Sequence, residues 1–342
     1  MLCYTISSKV EIQQISSVKI EGVYASLPSK VVDNVSSLRQ IYSDKAESIV
    51  KATGIEKRRI ADEGVCPLDL CISAAESLFA RLCPSESRAE FLSSFGAVIF
   101  VSFTEKLKMP AASCRAQSRL SLPSDVLTLD MSLACSGWCS ALSVASRIAS
   151  ATGKRVLLLD GDVQSNRIKE GDKATTPVLA DGGTATVVAP QFSDASQPFE
   201  FSFLSVGEKG SALSLSEGGY IEMDGFGVYK FVATDVVSFL RKFISCVRPF
   251  DAFVPHQANV YMIRQLAKTL GVEEKLKISA DSIGNISSAS IPATIALLSP
   301  QERENDITVL SSGFGGGLSA SAALFNLDKS AVTGVCEYGS RE

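Results

Sequence analysis

The chain holds a single histidine, His256, and nine cysteines, so any imidazole-dependent step must run through one position. Cys135 stands in LACSGW, after the strand-like run VLTLDM. Beyond it, apolar residues recur at Trp138, Ala141, Leu142, Ala145, Ile148 and Ala149, ahead of Gly153. That spacing predicts a helix with one buried face and Cys135 just before its first turn. A helix N-terminus carries about half a positive charge and unpaired N–H groups, so it is expected to stabilise a thiolate and lower the thiol pKa. Ala134, Ser136 and Gly137 are small enough to let a ligand approach. Cys135 is the candidate nucleophile, set against the ordinary alternative of a buried structural cysteine.

His256 lies in VPHQANVYMIRQLAKTLGV, where an apolar strand ends and a helix begins whose inner face is Val260, Ile263, Ala267 and Leu270, closed by Gly271. Open α/β sheets collect ligands at the carboxyl ends of their strands, so two strand ends bearing Cys and His could converge. A lone histidine is, however, more often a satisfied structural residue. DSIGNISSASIP places Asn285 after a glycine in a run of small polar residues that by itself reads as a loop. SSGFGGGLSASAALF places Gly313, Gly315, Gly316 and Gly317 after a strand. Backbone N–H groups there could stabilise a thioester oxyanion where side chains would obstruct it, although a plain tight turn explains these glycines equally well. The run lacks both the GxGxxG spacing of a dinucleotide site and the GK[ST] of a P-loop.

These residues need a scaffold. The 342 residues are 46% hydrophobic and 20% charged, enough for two domains and a sizeable core. From Ser8 to about Ile60 short β-rich runs surround one helix, closing on TGIEKRRIA, where Gly54 supplies a turn into a strand. LDLCISAAESLFARL then reads as a helix and GAVIFVSF and RVLLLDGD as buried strands, an alternation that predicts an α/β sheet with helices on its faces. The second half echoes the first. Roughly 56 to 58 residues separate AVIFVSF from RVLLLDGD and FDAFVP from ITVLSSGFGG, which suggests a duplicated unit, joined near Pro190 to Pro198.

The net charge of −4 comes from interspersed residues, so neither nucleic acid nor an anionic membrane is an expected partner. No stretch approaches the roughly 18 apolar residues of a membrane span, and MLCYTISSKVEIQQ lacks the order of a signal peptide. A cytoplasmic location is expected. Nine scattered cysteines without CxxC pairs argue against a disulfide framework and against a zinc site.

TGIEKRRIA, LACSGW, the ADGGTATVV run from Ala180 to Val188, MDGFGVYKF, PHQAN, GNISSASIP and GFGGGL together closely resemble the β-ketoacyl-acyl-carrier-protein synthase III group of the thiolase superfamily, in that family's order and spacing. The resemblance implies an α/β thiolase fold, with duplicated βαβ halves at residues 1–190 and 191–342 in a layered αβαβα structure. It implies that Cys135 is acylated from acyl-coenzyme A or an acyl carrier protein. His256 and Asn285 would hold the malonyl thioester carbonyl as carbon dioxide leaves, and the N–H groups of Cys135 and Gly316 would form the oxyanion hole. Met109, Gly225, Phe226, Asn259 and Gly315 are implied substrate contacts, Met109 closing the acyl pocket of the neighbouring subunit in a homodimer. No metal and no permanently bound cofactor is implied. The chemistry agrees: losing carbon dioxide creates an enolate, and each donor aimed at its oxygen can contribute about 2.7–4 kcal/mol in a dry site.

The departures bear on substrate. Where the family commonly has a tryptophan and an arginine before TGI, around the coenzyme A adenine and the carrier protein, this chain has Ser48 and Ala52. Tyr261 stands where an arginine often follows PHQAN, and Phe226 where a polar residue is usual. A specialised fatty-acyl or polyketide pathway, or a donor carried on a protein, is therefore expected over the priming of fatty acids from acetyl-coenzyme A. Two alternatives remain at this stage: acyl transfer to a small alcohol or amine without decarboxylation, and a non-catalytic partner subunit of another synthase. Retention of Cys135, His256 and Asn285 weighs against the second.

Overall fold

The computed structural model describes residues 10–83, 87–191 and 197–339. The opening residues MLCYTISSK and most of the expected junction between Pro190 and Pro198 lie outside the described residues.

Two sheets form, and their central strands repeat one pattern. In the first, Phe95–Val101 pairs in parallel with Arg155–Val163, which pairs antiparallel with Asp181–Pro190, which in turn pairs antiparallel with Val18–Pro28. In the second, Ala252–Pro255, Ile307–Gly315, Ser319–Leu327 and Phe199–Ser205 repeat the same parallel, antiparallel, antiparallel sequence. The duplication expected from strand spacing is thus present strand for strand. The halves also exchange edges. Gln13–Ile15 joins the second sheet beside Phe199–Ser205, while Val332–Tyr338 joins the first beside Val18–Pro28.

The layering follows from which faces are apolar. RVLLLDGDV is buried along nearly its whole length because the strand is covered on both sides. Val156 and Leu158 turn into a central layer with the Gly137–Thr152 and Ser290–Ala296 helices, while Leu157 and Leu159 turn outward under the Pro67–Leu82 helix. By the same alternation Asp160 and Asp162 face the central layer. On the far side of the second sheet, Phe239, Leu240, Phe243, Leu266 and Ala267 from the Val237–Cys246 and Val260–Leu270 helices pack over Phe253, Leu310 and Leu324. The result is the five-layered αβαβα thiolase fold.

Two local expectations differ. The segment before Gly54 carries two helices rather than one, Asn34–Tyr42 and Ala46–Thr53. GNISSASIP is not a surface loop: it is a buried turn that runs into the buried Ser290–Ala296 helix, because small residues allow close packing between the two sheets. Strand ends from both sheets then meet at one place, bringing Cys135, His256 and the glycine run together.

Candidate active site

Cys135 sits in a tight turn, Ala134–Ser136, that feeds the Gly137–Thr152 helix. Ala134 is held at φ 43°, a left-handed conformation that costs a non-glycine residue of order 1–3 kcal/mol and is kept only where the surroundings enforce it. The enforcing neighbour is the end of the Ile307–Gly315 strand. A Cβ on Gly313 would lie 2.5 Å from the Cys135 carbonyl, and one on Gly315, at φ 152°, would lie 3.0 Å from its sulfur. The glycine run is therefore cut to the shape of the nucleophile turn. The N–H groups of Gly316 and of Cys135 itself lie near enough to the sulfur to favour its anion.

Those donors do not prevail in the resting enzyme. Burial, followed by the nearby Asp162 carboxylate, pushes the Cys135 thiol up to about 12. The expectation that the helix N-terminus would lower this pKa is corrected: desolvation of the buried sulfur outweighs about half a positive charge. The resting group is a thiol, and its proton must be removed during reaction.

His256 follows Ala252–Pro255, and its N–H donates to the Ser312 carbonyl (2.7 Å). Its ring is buried and lies edge-on to Phe314 at 5.6 Å between centroids. Burial pushes the imidazole down to about 4, so at neutral pH it is uncharged. Nδ1 lies 3.0 Å from the Ser287 carbonyl and 3.0 Å from the Ser290 hydroxyl. When Nδ1–H donates to the carbonyl, Nε2 presents a lone pair; when Ser290 donates to Nδ1, Nε2 carries the proton and can donate to a ligand.

Asn285 is clamped through its backbone. Its N–H donates to the Val178 carbonyl, and its carbonyl accepts from the Ala180 N–H and from Gln164 Nε2. Its Oδ1 accepts from the Ser287 N–H (3.0 Å). That contact fixes the amide orientation, leaving Nδ2 to donate to the Ala258 carbonyl (3.2 Å) and, with its second hydrogen, to a ligand.

The three side chains line one cavity of about 550 Å³. Gly225, Asn259, Gly315 and Gly316 line it as well. Asn259 has a structural duty besides, accepting from the Met262 N–H as N-cap of the Val260–Leu270 helix. Phe226 and Met109 are not brought in: they are 77% and 86% exposed and lie outside the cavity of their own chain. Sequence reasoning missed the apolar wall of Phe103, Val178, Leu213, Ile221 and Met223: Phe103 and Met223 fall in runs singled out for other residues, and the rest lie outside any motif. It also missed Asp162 and Ser287 at the back of the site. Two aspartates inside the buried run RVLLLDGDV were the available signal for the first.

Family profiles described as 3-oxoacyl-[acyl-carrier-protein] synthase III and as its C-terminal region match residues 129–207 and 247–327. The β-ketoacyl-[acyl-carrier-protein] synthase III of Aquifex aeolicus (strain VF5) is 31% identical over 315 residues, which is 90% of this chain and 98% of that protein. The crystal structure of a 3-oxoacyl-(acyl-carrier protein) synthase from Burkholderia xenovorans LB400 matches with a TM-score of 0.89 at 29% identity, covering 97% of this chain and all of that one. The priming β-ketosynthase of the R1128 polyketide pathway matches with a TM-score of 0.80 at 25% identity, over 93% of this chain and 98% of that chain.

Proposed function

Because this chain belongs to the β-ketoacyl-acyl-carrier-protein synthase III family of the thiolase superfamily, and is a condensing acyltransferase of that type, we propose that it acylates Cys135 from an acyl thioester and extends the acyl group with malonyl-carrier protein. The observation that carries the assignment of residues is the convergence of Cys135, His256 and Asn285 on one largely apolar cavity that Gly315 and Gly316 also line. In the first half-reaction the sulfur attacks the donor thioester carbonyl carbon. The oxyanion that forms is held by the N–H groups of Cys135 and Gly316, and the donor thiol departs. In the second, the malonyl thioester carbonyl accepts from Asn285 Nδ2 and His256 Nε2–H while the C–C bond to the carboxylate breaks and carbon dioxide leaves. The enolate carbon then attacks the acyl-cysteine, and Cys135 is released. An oriented amide donor beside the imidazole favours condensation over simple acyl transfer, which forms no enolate. Intact-mass spectrometry with a panel of acyl-coenzyme A and acyl-carrier-protein donors, followed by malonyl-carrier protein, tests this: an adduct that is never discharged by the malonyl donor contradicts it.

We assign the enzyme to the cytoplasm, alongside carrier-protein and coenzyme A substrates, in fatty-acid or specialised acyl and polyketide synthesis. The divergent recognition positions lie beside the cavity mouth. Ser48, Ala52 and Tyr261 are exposed, on the packed Ala46–Thr53 and Val260–Leu270 helices, whose Thr53 and Met262 line the opening. None offers a guanidinium to a phosphate or an indole to an adenine. Free coenzyme A is therefore expected to bind weakly. Calorimetry giving low-micromolar affinity would show that another group, such as the exposed Arg264, has taken over the contact.

The proposed assembly is a homodimer. Among the described residues Leu127–Met131 is an edge strand of the six-stranded sheet, paired on one side only, with Leu127 54% exposed and Leu133 40% exposed, and Met109 is 86% exposed in its own chain. An apolar edge strand is the kind of surface proteins cover, and a two-fold partner would do so. Sedimentation should give a dimer, and Leu127→Glu should shift it toward monomer with loss of activity. A fully active wild-type monomer would be the contrary result.

A further inference from the structure

Ser287 sits in a buried turn packed against both the Cys135 turn and the Arg155–Val163 strand, its backbone holds His256 and Asn285, and nothing in the mechanism above uses its hydroxyl. It is fully buried and held at φ 58°, a left-handed conformation that glycine or asparagine would adopt at less cost. Its carbonyl faces His256 Nδ1 at 3.0 Å and its N–H donates to Asn285 Oδ1 at 3.0 Å. The hydroxyl makes no hydrogen bond among the described residues, and it is near enough to the Cys135 thiol and the Asp162 carboxyl to favour the charged form of each. Catalytic hydrogen bonds are often loose in an empty site and tighten with substrate.

Asp162 is built as an acceptor with one oxygen in reserve. Oδ1 accepts from the Ser102 hydroxyl (2.8 Å), the Phe103 N–H (3.0 Å), the Thr104 N–H (3.1 Å) and the Thr104 hydroxyl (2.8 Å). Oδ2 is buried with no partner, as is the Ser287 hydroxyl. The titratable groups facing Asp162 are Asp160 on its own strand, Cys71 from the Pro67–Leu82 helix, and Cys135. Asp160 has the Ser288 hydroxyl alone as donor (2.9 Å) and is pushed well above the carboxylate range, first by burial and then by Asp162. Burial raises both carboxyls above their ordinary value, Asp160 the more, and the four donors on Oδ1 make Asp162 the member better able to hold a charge.

We propose that Ser287 and Asp162 form the proton route that activates Cys135, leaving His256 for the condensation step. As the sulfur attacks the thioester carbonyl carbon, the S–H bond breaks and its proton passes to Ser287 Oγ, while the Ser287 hydroxyl proton passes to Asp162 Oδ2. The departing thiolate is protonated by the reverse path, so the step consumes one acyl thioester and yields acyl-Cys135 and a free thiol. The physical case is one of charge. A thiolate made beside an ionised Asp162 would bury two negative charges, whereas passing the proton along Ser287 keeps the buried charge at one throughout. The donor is the acyl thioester proposed above, and the proposal rests on that function only for the identity of this electrophile.

The test is the rate of Cys135 alkylation by iodoacetamide against pH, read by peptide mass spectrometry because Cys114 and Cys246 are exposed. Internal proton transfer gives the wild type a rate that is flat through neutral pH. Asp162→Asn keeps an oxygen for the four donors and an N–H for Ser287, so the local structure is preserved while the proton acceptor is lost. Its rate should fall at least about tenfold at neutral pH and climb about tenfold per unit of pH, following the thiolate. Ser287→Ala should behave alike, and the double variant no worse than either. His256→Ala should keep the flat profile. A carboxylate that merely repels the thiolate predicts the opposite sign, faster alkylation in Asp162→Asn, and that result or an unchanged profile overturns the proposal. Should Asp162→Asn not fold, Ser287→Ala decides by the same criteria. A wild type that shows this profile yet accepts no acyl thioester would instead sink the proposed function and leave the relay standing.

Discussion

Replacing Cys135 by alanine is expected to abolish both the acyl adduct and the condensation product, since a methyl group cannot attack a thioester and the hydroxyl of Ser136, in the same turn, is engaged with the Leu133 carbonyl and the Ser319 hydroxyl. The substitution should cost little stability. The strained Ala134–Ser136 backbone is held by the glycine strand behind it and not by the sulfur, and alanine is smaller than cysteine in a site that already opens onto a cavity. Intact-mass spectrometry after incubation with acyl donors checks the first part and thermal unfolding the second. An adduct persisting in Cys135→Ala would move the nucleophile elsewhere. Cys139 is the nearest cysteine in sequence, but burial pushes its thiol up to about 12 as well, and it faces the interior of the central layer, away from the cavity.

What made Cys135 legible was local. A cysteine between an apolar strand and a run with helical spacing can be found in one sequence, and so can a lone histidine in the corresponding place of a second half. The helix caps at Gly54, Gly153 and Gly271, all in the left-handed conformation, lay where turn chemistry put them. The exchange of edge strands was not legible, because the pairing of Gln13–Ile15 with Phe199–Phe201 and of Val332–Tyr338 with Val18–Pro28 joins segments far apart in the chain, and neither partner carries a signature of the other.

Ser287 shows a second kind of limit. In ISSAS the serines at 287, 288 and 290 are chemically identical, yet they serve Cys135 and Asp162, Asp160, and His256 respectively. Only backbone direction separates them, and that is set by a positive φ at Ser287. The thiol pKa failed for a related reason. A helix N-terminus can be read from a sequence, but the degree of enclosure that outweighs it is a property of the assembled layers.

The half-reactions should separate when His256 or Asn285 is replaced by alanine. In the proposed mechanism neither residue holds the oxyanion of acylation, a task given to the Cys135 and Gly316 N–H groups, and the proposed relay takes the Cys135 proton through Ser287. Acyl-enzyme formation should therefore survive in His256→Ala largely intact. Decarboxylation should not, because the enolate charge exists only in the second step and its two donors would be reduced to one. Loss of a single donor of this kind costs about 2.7–4 kcal/mol, or on the order of a hundredfold to a thousandfold in rate. The expected signature is an acyl adduct that accumulates by mass spectrometry while labelled carbon dioxide is released from malonyl-carrier protein at a small fraction of the wild-type rate. Asn285→Ala should behave alike, and the double variant should be little worse than either single one, because donors that act as a unit are not additive. Burial holds His256 near 4, so its ionisation should leave condensation by the acylated wild type unchanged above about pH 5; as the pH drops through 4 the imidazole gains a proton on Nδ1 but keeps its Nε2–H donor, so this group should not slow decarboxylation. A His256→Ala protein that cannot be acylated at all would make the imidazole the base for Cys135, removing the division of labour and returning simple acyl transfer to contention.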